Sequence, residues 1–436
     1  MKNQTLTIKK MGINGEGIGY IDSKIAFIKG ALTGEEVVAA IDEVAPRFIR
    51  GHAIKITKKS PARRPDTKHN QNYGYSLFHM NYLDQLPFKK GLIKDAIGKY
   101  TKFDPEELDV APVVASEKTE HYRSEVGFPV VFSHGRLIFS DLSKVEHFLT
   151  SDDLYRLNDQ TINHTLKAIQ DIVNKYKCKD YYPRVKKGLR YIQVALYNEG
   201  LQVLFVTGKD GIKREVTAEV EALDNVAAVY YTINTSSHTD FRDKGYKRIY
   251  GPNTLTRTYH DRDYAFNVKS PVIINPDMEY QYYETIASMI DDDANVLSLY
   301  PRYGVLECDL PNTVMAVEGD QICVEEAKKN AERLGESQKT FRLGDVDEEV
   351  VYLCKKNKYD LALVQLFNDE MSEEMAESIT LSRIPEVILT SKNMSTLGKA
   401  IALLEGKYEI ASVKGIDMDP NTPLVTGIVK MTRNQA

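Results

Sequence analysis

The chain of 436 residues has no tryptophan and only four cysteines. These are Cys178, Cys308, Cys323 and Cys354, and no two of them form a CxxC pair. Their spacing excludes the ligand patterns of zinc and iron–sulfur sites and does not indicate a disulfide framework. We therefore expect free thiols in a reducing cytoplasm and no metal site.

Long apolar runs are missing as well. The N-terminus, MKNQTLTIKK, lacks the apolar core of a signal peptide, and no stretch approaches the roughly 18 apolar residues of a membrane span. We therefore predict a cytoplasmic protein with no membrane partner. The length exceeds that of one ordinary domain, and an apolar fraction of 42% is sufficient for two or three hydrophobic cores.

The formal net charge is −5, which does not by itself suggest a nucleic-acid partner. Basic residues nevertheless cluster between positions 47 and 68, where Asp66 is the one acid, whereas acidic runs occur later in the chain. A basic N-terminal face on an acidic body is typical of a polyanion-binding surface, although a solvated surface stretch has the same pattern. The candidate RNA-contacting cations in this stretch are Arg47, Arg50, Lys55, Lys58, Lys59, Arg63 and Arg64.

The pattern of strands and helices divides the chain into three parts. Residues 1–57 contain about five short apolar strands with Gly-rich turns, which predicts a small β-barrel of the OB type. Residues 58–275 begin with a basic linker and continue mostly as strands, which predicts a central α+β RNA-binding domain. Residues 276–436 alternate strand and helix, which predicts a Rossmann-like parallel sheet with its ligand crevice at the carboxyl ends of the strands.

Several segments resemble, in order and spacing, the TRAM-containing family of S-adenosylmethionine (SAM)-dependent RNA uracil-C5 methyltransferases. AFIKGALTGE is similar to the FVPGALPGE of the family's barrel, and YSLFHMNY with the following QL and K is similar to CxLQHxxYxxQLxxK. A YR pair, a VE…A..NA pattern and the DMDPNT run, which is similar to DMFPxT, follow in the same order. The matching residues are 26–35, 75–89, Tyr122, Arg123, 317–331 and 417–422.

This resemblance covers nearly the whole chain and implies an α/β multidomain fold. The order would be an N-terminal TRAM barrel, a central α+β domain and a C-terminal class I methyltransferase domain. It also implies a chemistry. Family enzymes add a cysteine thiolate to C6 of uracil, transfer a methyl group to C5, and remove the C5 proton with a glutamate.

The residues for that chemistry are missing here. The nucleophile position in the family's SCNPxTL segment is Lys392, within SKNMSTL, and the position of the base is Thr426. A threonine hydroxyl cannot act as a base at neutral pH. The DPPR loop that flanks the flipped uracil corresponds to residues 365–368 (QLFN), and the FFQVN segment corresponds to residues 272–275 (VIIN).

The cofactor loop has changed too, because the family's DLYCGVG reads SLYPRYG at residues 298–304. A SAM loop requires small residues so that its backbone can approach the cofactor, whereas Arg302 and Tyr303 add bulk. We therefore expect no bound cofactor, while leaving SAM binding open. The candidate cofactor-binding residues that remain are Gly304, Glu318, where the family binds ribose hydroxyls, and Asp345, where an acid meets adenine.

The iron–sulfur site found in many relatives is also predicted to be absent. Its four cysteine positions correspond to Asp66, Asn72, Tyr75 and His147, none of which supplies a thiolate.

Three functions remain open. The loss of nucleophile, base, cofactor loop and cluster together favours an RNA-binding pseudoenzyme that binds rRNA or tRNA. Lys186 and Lys187 would then form a second basic patch. Phe27 and Tyr73 would either stack on bases or pack in the core. The second is an active methyltransferase with altered chemistry, in which Lys392 acts as an amine nucleophile or the enzyme targets another atom. The third is a non-catalytic partner of an active paralogue or of the ribosome.

Overall fold

The computed structural model of the protein describes residues 3–65, 76–139, 156–238, 244–270 and 272–434. The described strands form an N-terminal sheet, a central sheet, a two-stranded ribbon and a C-terminal sheet. The order of layers predicted from sequence is confirmed: an N-terminal β-barrel precedes a mixed central sheet and a mostly parallel C-terminal sheet wound with helices.

The N-terminal sheet has six strands in the order β1-β5-β6-β4-β3-β2, and it curls so that β1 lies against β3. Apolar side chains on alternate positions, such as Leu6, Ile28 and Val37, fill its interior. At Gly19 a Cβ atom would lie 2.7 Å from the Thr7 carbonyl oxygen, so glycine permits the close approach of β1 and β3. The strands are β1 (Gln4–Thr7), β2 (Lys10–Met11), β3 (Gly17–Ile21), β4 (Lys24–Lys29), β5 (Glu36–Val44) and β6 (Phe48–Lys58).

The central sheet has the order β12-β11-β10-β9-β7-β8 and is covered on both faces. Two helices pack on one face, and the ribbon and the C-terminal part pack on the other. All but the first residue of β10 are therefore buried, as expected for a strand with both faces covered. The elements are β7 (Glu125–Ser133), β8 (Arg136–Phe139), α2 (Gln160–Lys175), β9 (Leu189–Tyr197), β10 (Gly200–Thr207), α3 (Arg214–Glu221), β11 (Val226–Ile233) and β12 (Tyr246–Tyr250), followed by the ribbon strands β13 (Thr254–Tyr259) and β14 (Arg262–Asn267).

The C-terminal sheet has seven strands in the order β17-β16-β15-β18-β19-β21-β20. The first five are parallel, whereas β21 pairs antiparallel with both β19 and β20. Its elements are α4 (Pro276–Ala287), β15 (Asn295–Leu299), α5 (Val305–Asp309), β16 (Thr313–Glu318), α6 (Gln321–Leu334), β17 (Lys339–Leu343), α7 (Val346–Lys356), β18 (Leu361–Gln365), α8 (Glu373–Leu381), β19 (Glu386–Ser391), α9 (Met394–Leu404), β20 (Tyr408–Ile416) and β21 (Thr426–Arg433).

Helix α1 (Tyr82–Tyr100) packs on this C-terminal layer, mainly against α9. The two helices approach closely at Gly398, where a Cβ atom would lie 2.8 Å from the Ala96 carbonyl oxygen. The N-terminal half of the chain therefore contributes a helix to the layer that the last third builds.

A buried polar cluster, here called the clasp, fixes α1 to the segment between β20 and β21. Lys89 forms an ion pair with Asp417, and both side chains are fully buried. Gln85 exchanges two hydrogen bonds of 3.0 Å with the backbone and side chain of Asn421, and the Tyr122 hydroxyl donates to the Pro420 carbonyl at 3.1 Å. Three of the family-like segments, residues 75–89, 122–123 and 417–422, thus meet at one point, where they join distant parts of the chain.

Candidate cofactor crevice and RNA-facing surface

The candidate cofactor residues lie at the carboxyl edge of the C-terminal sheet. Glu318 ends β16 and pairs in register with Leu343 at the end of β17, and the Gly344 amide donates to the Glu318 carbonyl at 3.2 Å. Asp345 follows directly and caps α7, where its carboxylate accepts from the amides of Asp347 and Glu348 at 3.1 Å. Gly304 precedes α5 at the end of the loop that leaves β15. The fold therefore brings Gly304, Glu318 and Asp345 to one edge.

Both oxygens of the Glu318 carboxylate already accept backbone hydrogen bonds. One accepts from the Arg302 amide and the other from the Asp320 amide, each at 3.0 Å. The side chain is only 9% exposed, and burial raises the pKa of this carboxyl. The loop of residues 300–304 thus closes onto the acid that would otherwise face a ligand.

The side chain of Tyr303 fills the space behind this loop. It is 1% exposed, its hydroxyl donates to Glu279 at 2.9 Å, and the Ile273 amide donates to it at 3.2 Å. Glu279, fully buried on α4, also accepts from the hydroxyls of Tyr259 at 2.5 Å and Tyr283 at 2.6 Å. Burial raises the pKa of Glu279, because a desolvated carboxylate is costly even with three donors.

Arg302 closes the loop on its other side. Its guanidinium lies over the ring of Phe367, 4.8 Å from the centroid, within the QLFN segment at residues 365–368. Residues 302 and 303 therefore contact both the QLFN segment at residues 365–368 and the VIIN segment at residues 272–275. The glycine that remains, Gly304, has a φ of +69°, and a Cβ atom there would lie 2.5 Å from the Phe341 ring. Close packing against Phe341 is thus sufficient reason for glycine at this position.

A second buried polar network lies beneath the loop, around Glu307 of α5. The Glu307 carboxylate accepts from the Ser298 hydroxyl at 2.7 Å and from the Gln365 amide at 2.8 Å. Its other oxygen has no hydrogen-bond partner among the described residues. Burial raises the pKa of Glu307 to about 7, so this carboxyl is protonated in mildly acidic solution.

Lys392 and Thr426 lie across from each other at the same edge. Ser391, the last residue of β19, pairs antiparallel with Gly427 of β21. This pairing places Lys392, which follows β19, beside Thr426, the first residue of β21. Lys392 is exposed, whereas Thr426 is only 7% exposed. The two positions aligned with the family's nucleophile and base are therefore neighbours in space.

None of the four cysteines replaces the missing nucleophile. Cys308 and Cys323 lie in α5 and α6 with exposures of 0% and 2%, and Cys354 is also buried. Burial and the nearby Glu307 carboxylate raise the pKa of Cys308 to about 12. A nucleophilic cysteine requires both a thiolate and access, and Cys308 has neither. Cys178 is half-buried at the C-terminal end of α2, in the central part of the chain, and burial raises the pKa of its thiol.

The cations proposed from sequence to face RNA fall into two groups. Arg47, Arg50, Lys55, Lys58 and Lys59 are exposed, in the β5–β6 turn, on β6 and just after it. We call these five residues the barrel cations.

Arg63 is different, because its guanidinium is buried. It donates to Glu35 at 2.5 and 2.7 Å, and the two side chains are 6% and 0% exposed. A phosphate could reach Arg63 only by breaking this pair, so we leave it out of the RNA-facing surface. Arg64 lies over the ring of Phe78 at 4.3 Å and is 38% exposed.

The second basic patch is a turn beside the central sheet. Lys186 donates its amide to the Tyr182 carbonyl at 2.9 Å, and its own carbonyl accepts from the Lys209 amide at 2.8 Å. Lys186 and Lys187 are both exposed, and so is Tyr182 at 52%. An exposed tyrosine beside two lysines is a surface suited to single-stranded nucleic acid.

Comparisons with known proteins agree with this architecture. The TRAM domain family matches residues 2–54. An uncharacterized RNA methyltransferase of Streptococcus mutans is 26% identical over 99% of this chain and 96% of its own length, and one of Listeria innocua is 27% identical over 98% and 97%. The chain thus has a TRAM domain at its N-terminus and is similar over nearly its whole length to proteins named RNA methyltransferases.

A solved structure has the same architecture over nearly the whole chain. It is the Pyrococcus abyssi tRNA (uracil-54, C5)-methyltransferase in complex with S-adenosyl-L-homocysteine, with a TM-score of 0.79 over 98% of this chain and 99% of that one. The sequences are 19% identical, so this likeness establishes the architecture of the chain and nothing finer.

Sequence reasoning missed most of the polar groups that surround the crevice in this TRAM-domain chain. Tyr303 was noted for its bulk, but its partner Glu279 was not, because the two are joined only by the folded chain. The run Tyr280-Gln281-Tyr282-Tyr283 was the one local signal of an unusual tyrosine content.

Two further observations concern ions and membranes. Within the described ranges no helix is both long and apolar enough to cross a bilayer. In the same ranges no group of three or more His, Cys, Asp or Glu side chains is placed to hold a metal ion. The positions aligned with the iron–sulfur cysteines, Asp66, Asn72, Tyr75 and His147, and also Tyr73, lie outside the described residues.

Proposed function

We propose that the protein binds RNA and does not form 5-methyluridine. The observation that carries this proposal is the loop of residues 300–304, where Tyr303 bonds to Ile273 and Glu279 and Arg302 covers Phe367. These contacts join the loop at the cofactor position to residues 272–275, which correspond to the family's FFQVN segment, and to residues 365–368, which correspond to its uracil-flanking DPPR loop. Lys392 and Thr426, at the positions of the family's nucleophile and base, supply neither a thiolate nor a carboxylate.

The residues present do not fit SAM well. A bound SAM would need the Glu318 carboxylate for its ribose, yet this residue is only 9% exposed and each carboxylate oxygen already accepts one backbone amide. Arg302 and Tyr303 also add bulk to a loop that would need small residues for its backbone to approach the cofactor. We therefore derive no methyl transfer for this chain.

RNA binding is supported by the TRAM barrel and by charge. The five barrel cations are exposed on one strand and its flanks, and Lys186 and Lys187 form a second exposed site. Cations on an extended strand neutralise successive phosphates without reading sequence. Which RNA is bound, rRNA or tRNA, and whether an active paralogue or the ribosome is a further partner, stay predictions.

A second candidate, a SAM-dependent methyltransferase with altered chemistry, is favoured by the end-to-end likeness to the Pyrococcus abyssi enzyme and its bound S-adenosyl-L-homocysteine. In that case Lys392 would be the amine nucleophile. Calorimetry separates the two candidates. SAM titrated into the protein should release no binding heat, with the Pyrococcus abyssi enzyme as the positive control.

Methyl transfer is tested with tritiated SAM and undermodified rRNA and tRNA. We expect no tritium in RNA after incubation with the wild-type protein, although filter binding at low salt should retain the same RNA. Tritium incorporation that is lost in Lys392→Ala would overturn the proposal. Failure to retain any RNA at low salt would overturn its other half.

A further inference from the structure

A cavity of about 310 Å³ lies between the N-terminal barrel and α1, and we call it the barrel–helix pocket. The turn from β2 to β3, strands β4 and β6, and α1 form its walls. Its volume is near the lower end of the range of about 300–1,000 Å³ for small-ligand sites, which suits a single nucleotide. The lining residues that matter are Lys10, Asn14, Glu16, Phe27, Arg50 and Asp95.

Phe27 gives the pocket an aromatic wall. The residue is half-buried on β4, and its ring meets Phe48 edge to face, with centroids 6.2 Å apart and planes at 71°. Ile18 and Leu92 add apolar surface beside it. A ring in apolar surroundings at the protein surface is the type of platform on which a nucleobase stacks.

Two cations stand at the rim of the pocket. Lys10 and Arg50 are both exposed. Arg50 pairs with Glu43 at 3.2 Å, but these side chains are 60% and 50% exposed, so the pair contributes little and can exchange for a phosphate. Because Arg50 is one of the barrel cations, the pocket continues the proposed phosphate-binding surface.

The polar edge of the pocket is acidic. The Glu16 carboxylate already accepts two hydrogen bonds from Asn14, one from its backbone amide at 3.1 Å and one from its side-chain amide at 3.2 Å. Asp95 is exposed on α1 and has no hydrogen bond or ion pair with other described residues. A carboxylate accepts hydrogen bonds from the exocyclic amino group of cytosine or adenine, whereas O4 of uracil is itself an acceptor.

We propose that the barrel–helix pocket holds one nucleotide of bound RNA and prefers a base with an exocyclic amino group over uracil. The base stacks on Phe27, its amino group donates to Asp95, and Lys10 and Arg50 contact the adjoining phosphates. This inference rests on the proposed RNA binding and adds base selection to it.

The test measures fluorescence anisotropy of short cytidine and uridine oligomers with the full-length protein at low salt. Cytosine and uracil have the same size and differ only along the edge that carries N3 and the exocyclic group at C4, so their difference in affinity reports hydrogen bonding at that edge. We expect the wild-type protein to bind the cytidine oligomer about tenfold more tightly. Asp95→Ala should abolish this preference, and Phe27→Leu should weaken binding of the cytidine oligomer about fivefold.

Matched controls lie outside the pocket. Tyr20→Leu changes an aromatic residue on β3 that is 57% exposed, and Asp109→Ala removes an exposed acid beyond α1, so both should bind like wild type. Asp95 is at the surface of a helix, so its variant folds even if Phe27→Leu does not.

The outcomes separate the pocket from RNA binding in general. Equal binding of both oligomers, or a cytidine preference that persists in Asp95→Ala, overturns the pocket assignment and leaves RNA binding intact. Binding of neither oligomer overturns both proposals. Cytidine monophosphate that binds as tightly as the oligomer would identify a free-nucleotide site and overturn the assignment to RNA.

Discussion

Lys89 and Asp417 are separated by 328 positions in sequence and form an ion pair whose side chains are fully buried. Burial lowers the pKa of Lys89 and raises that of Asp417, because each charge has lost its water. Such a pair adds little net stability compared with an apolar pair, but removing one partner leaves an isolated buried charge. The family-like K and D at these positions therefore have a structural role.

The variant Lys89→Met tests that role. We expect its free energy of unfolding to fall by about 3–5 kcal/mol, since Asp417 is then buried without a counter-ion. Urea unfolding followed by circular dichroism measures the change. The matched control is Lys90→Met on the same helix, which is only partly buried and should stay within about 0.5 kcal/mol of wild type. Equal effects of the two substitutions would contradict the role given to Lys89.

Glu307 predicts a dependence of stability on pH. Its pKa rises from an ordinary 4.5 to about 7 in the folded protein, so the folded state holds a proton that the unfolded chain releases between these values. This group's stabilising contribution is complete below about pH 4.5 and is lost as the pH rises to about 7. Glutamine does not titrate, so the variant Glu307→Gln does not lose this stability as the pH rises. Relative to wild type, the variant should therefore gain about 3 kcal/mol between these two pH values.

Urea unfolding at several pH values checks this expectation. The control is Glu332→Gln, because Glu332 is exposed on α6 and the difference from wild type should not change with pH. A Glu307→Gln difference that is constant from acid to neutral pH would contradict the proposed protonation.

At the scale of elements, the loop of residues 300–304 is held by tertiary hydrogen bonds. Tyr303→Phe removes the hydroxyl that accepts a hydrogen bond from the Ile273 amide. The same hydroxyl is one of the three that donate to the Glu279 carboxylate. We expect the free energy of unfolding to fall by about 1–3 kcal/mol, the usual cost of an unsatisfied buried polar group. Thermal unfolding measures it. Tyr300→Phe in the same loop is the control and should be near neutral.

The helices and strands were largely predictable from periodicity, and their ends were less so. Helical periodicity in the sequence covers residues 280–290, whereas α4 spans Pro276–Ala287. The start is set by Asn275, whose side chain accepts from the Met278 amide, and by proline at the first helical position. The barrel has six strands rather than about five because Lys10–Met11 forms a short additional pairing with β3.

The candidate site was predictable only in part. The order of segments was sufficient to select Lys392 and Thr426, and the fold does make them neighbours. The Arg63–Glu35 pair and the Tyr303–Glu279 bond were not predictable, because no local pattern marks partners that are 28 and 24 positions apart. A charged residue in a basic run has the same local sequence whether its side chain is buried or solvated.

At the scale of the whole molecule, the exposed barrel cations contrast with the formal net charge of the chain, which is −5. If they contact phosphates, the triple variant Lys55→Ala, Lys58→Ala, Lys59→Ala should lower the slope of log K against log salt by about 2–3, at roughly 0.7–0.9 per contact. Filter binding across a salt series measures the slope. Lys355→Ala, Lys356→Ala, Lys358→Ala changes the net charge equally near the end of α7 and should leave the slope unchanged.

The clasp has a consequence for the order in which the newly made chain can fold. Helix α1 emerges from the ribosome early, but Lys89 meets Asp417 only after 328 further residues have been added. At about 5–20 residues per second, this interval is roughly 16–66 s. During that time Lys89 lacks its counter-ion Asp417, and the apolar face of α1 lacks α9, the helix on which it packs in the folded protein. The nascent first half therefore has reason to be a client of chaperones until translation reaches its final strands.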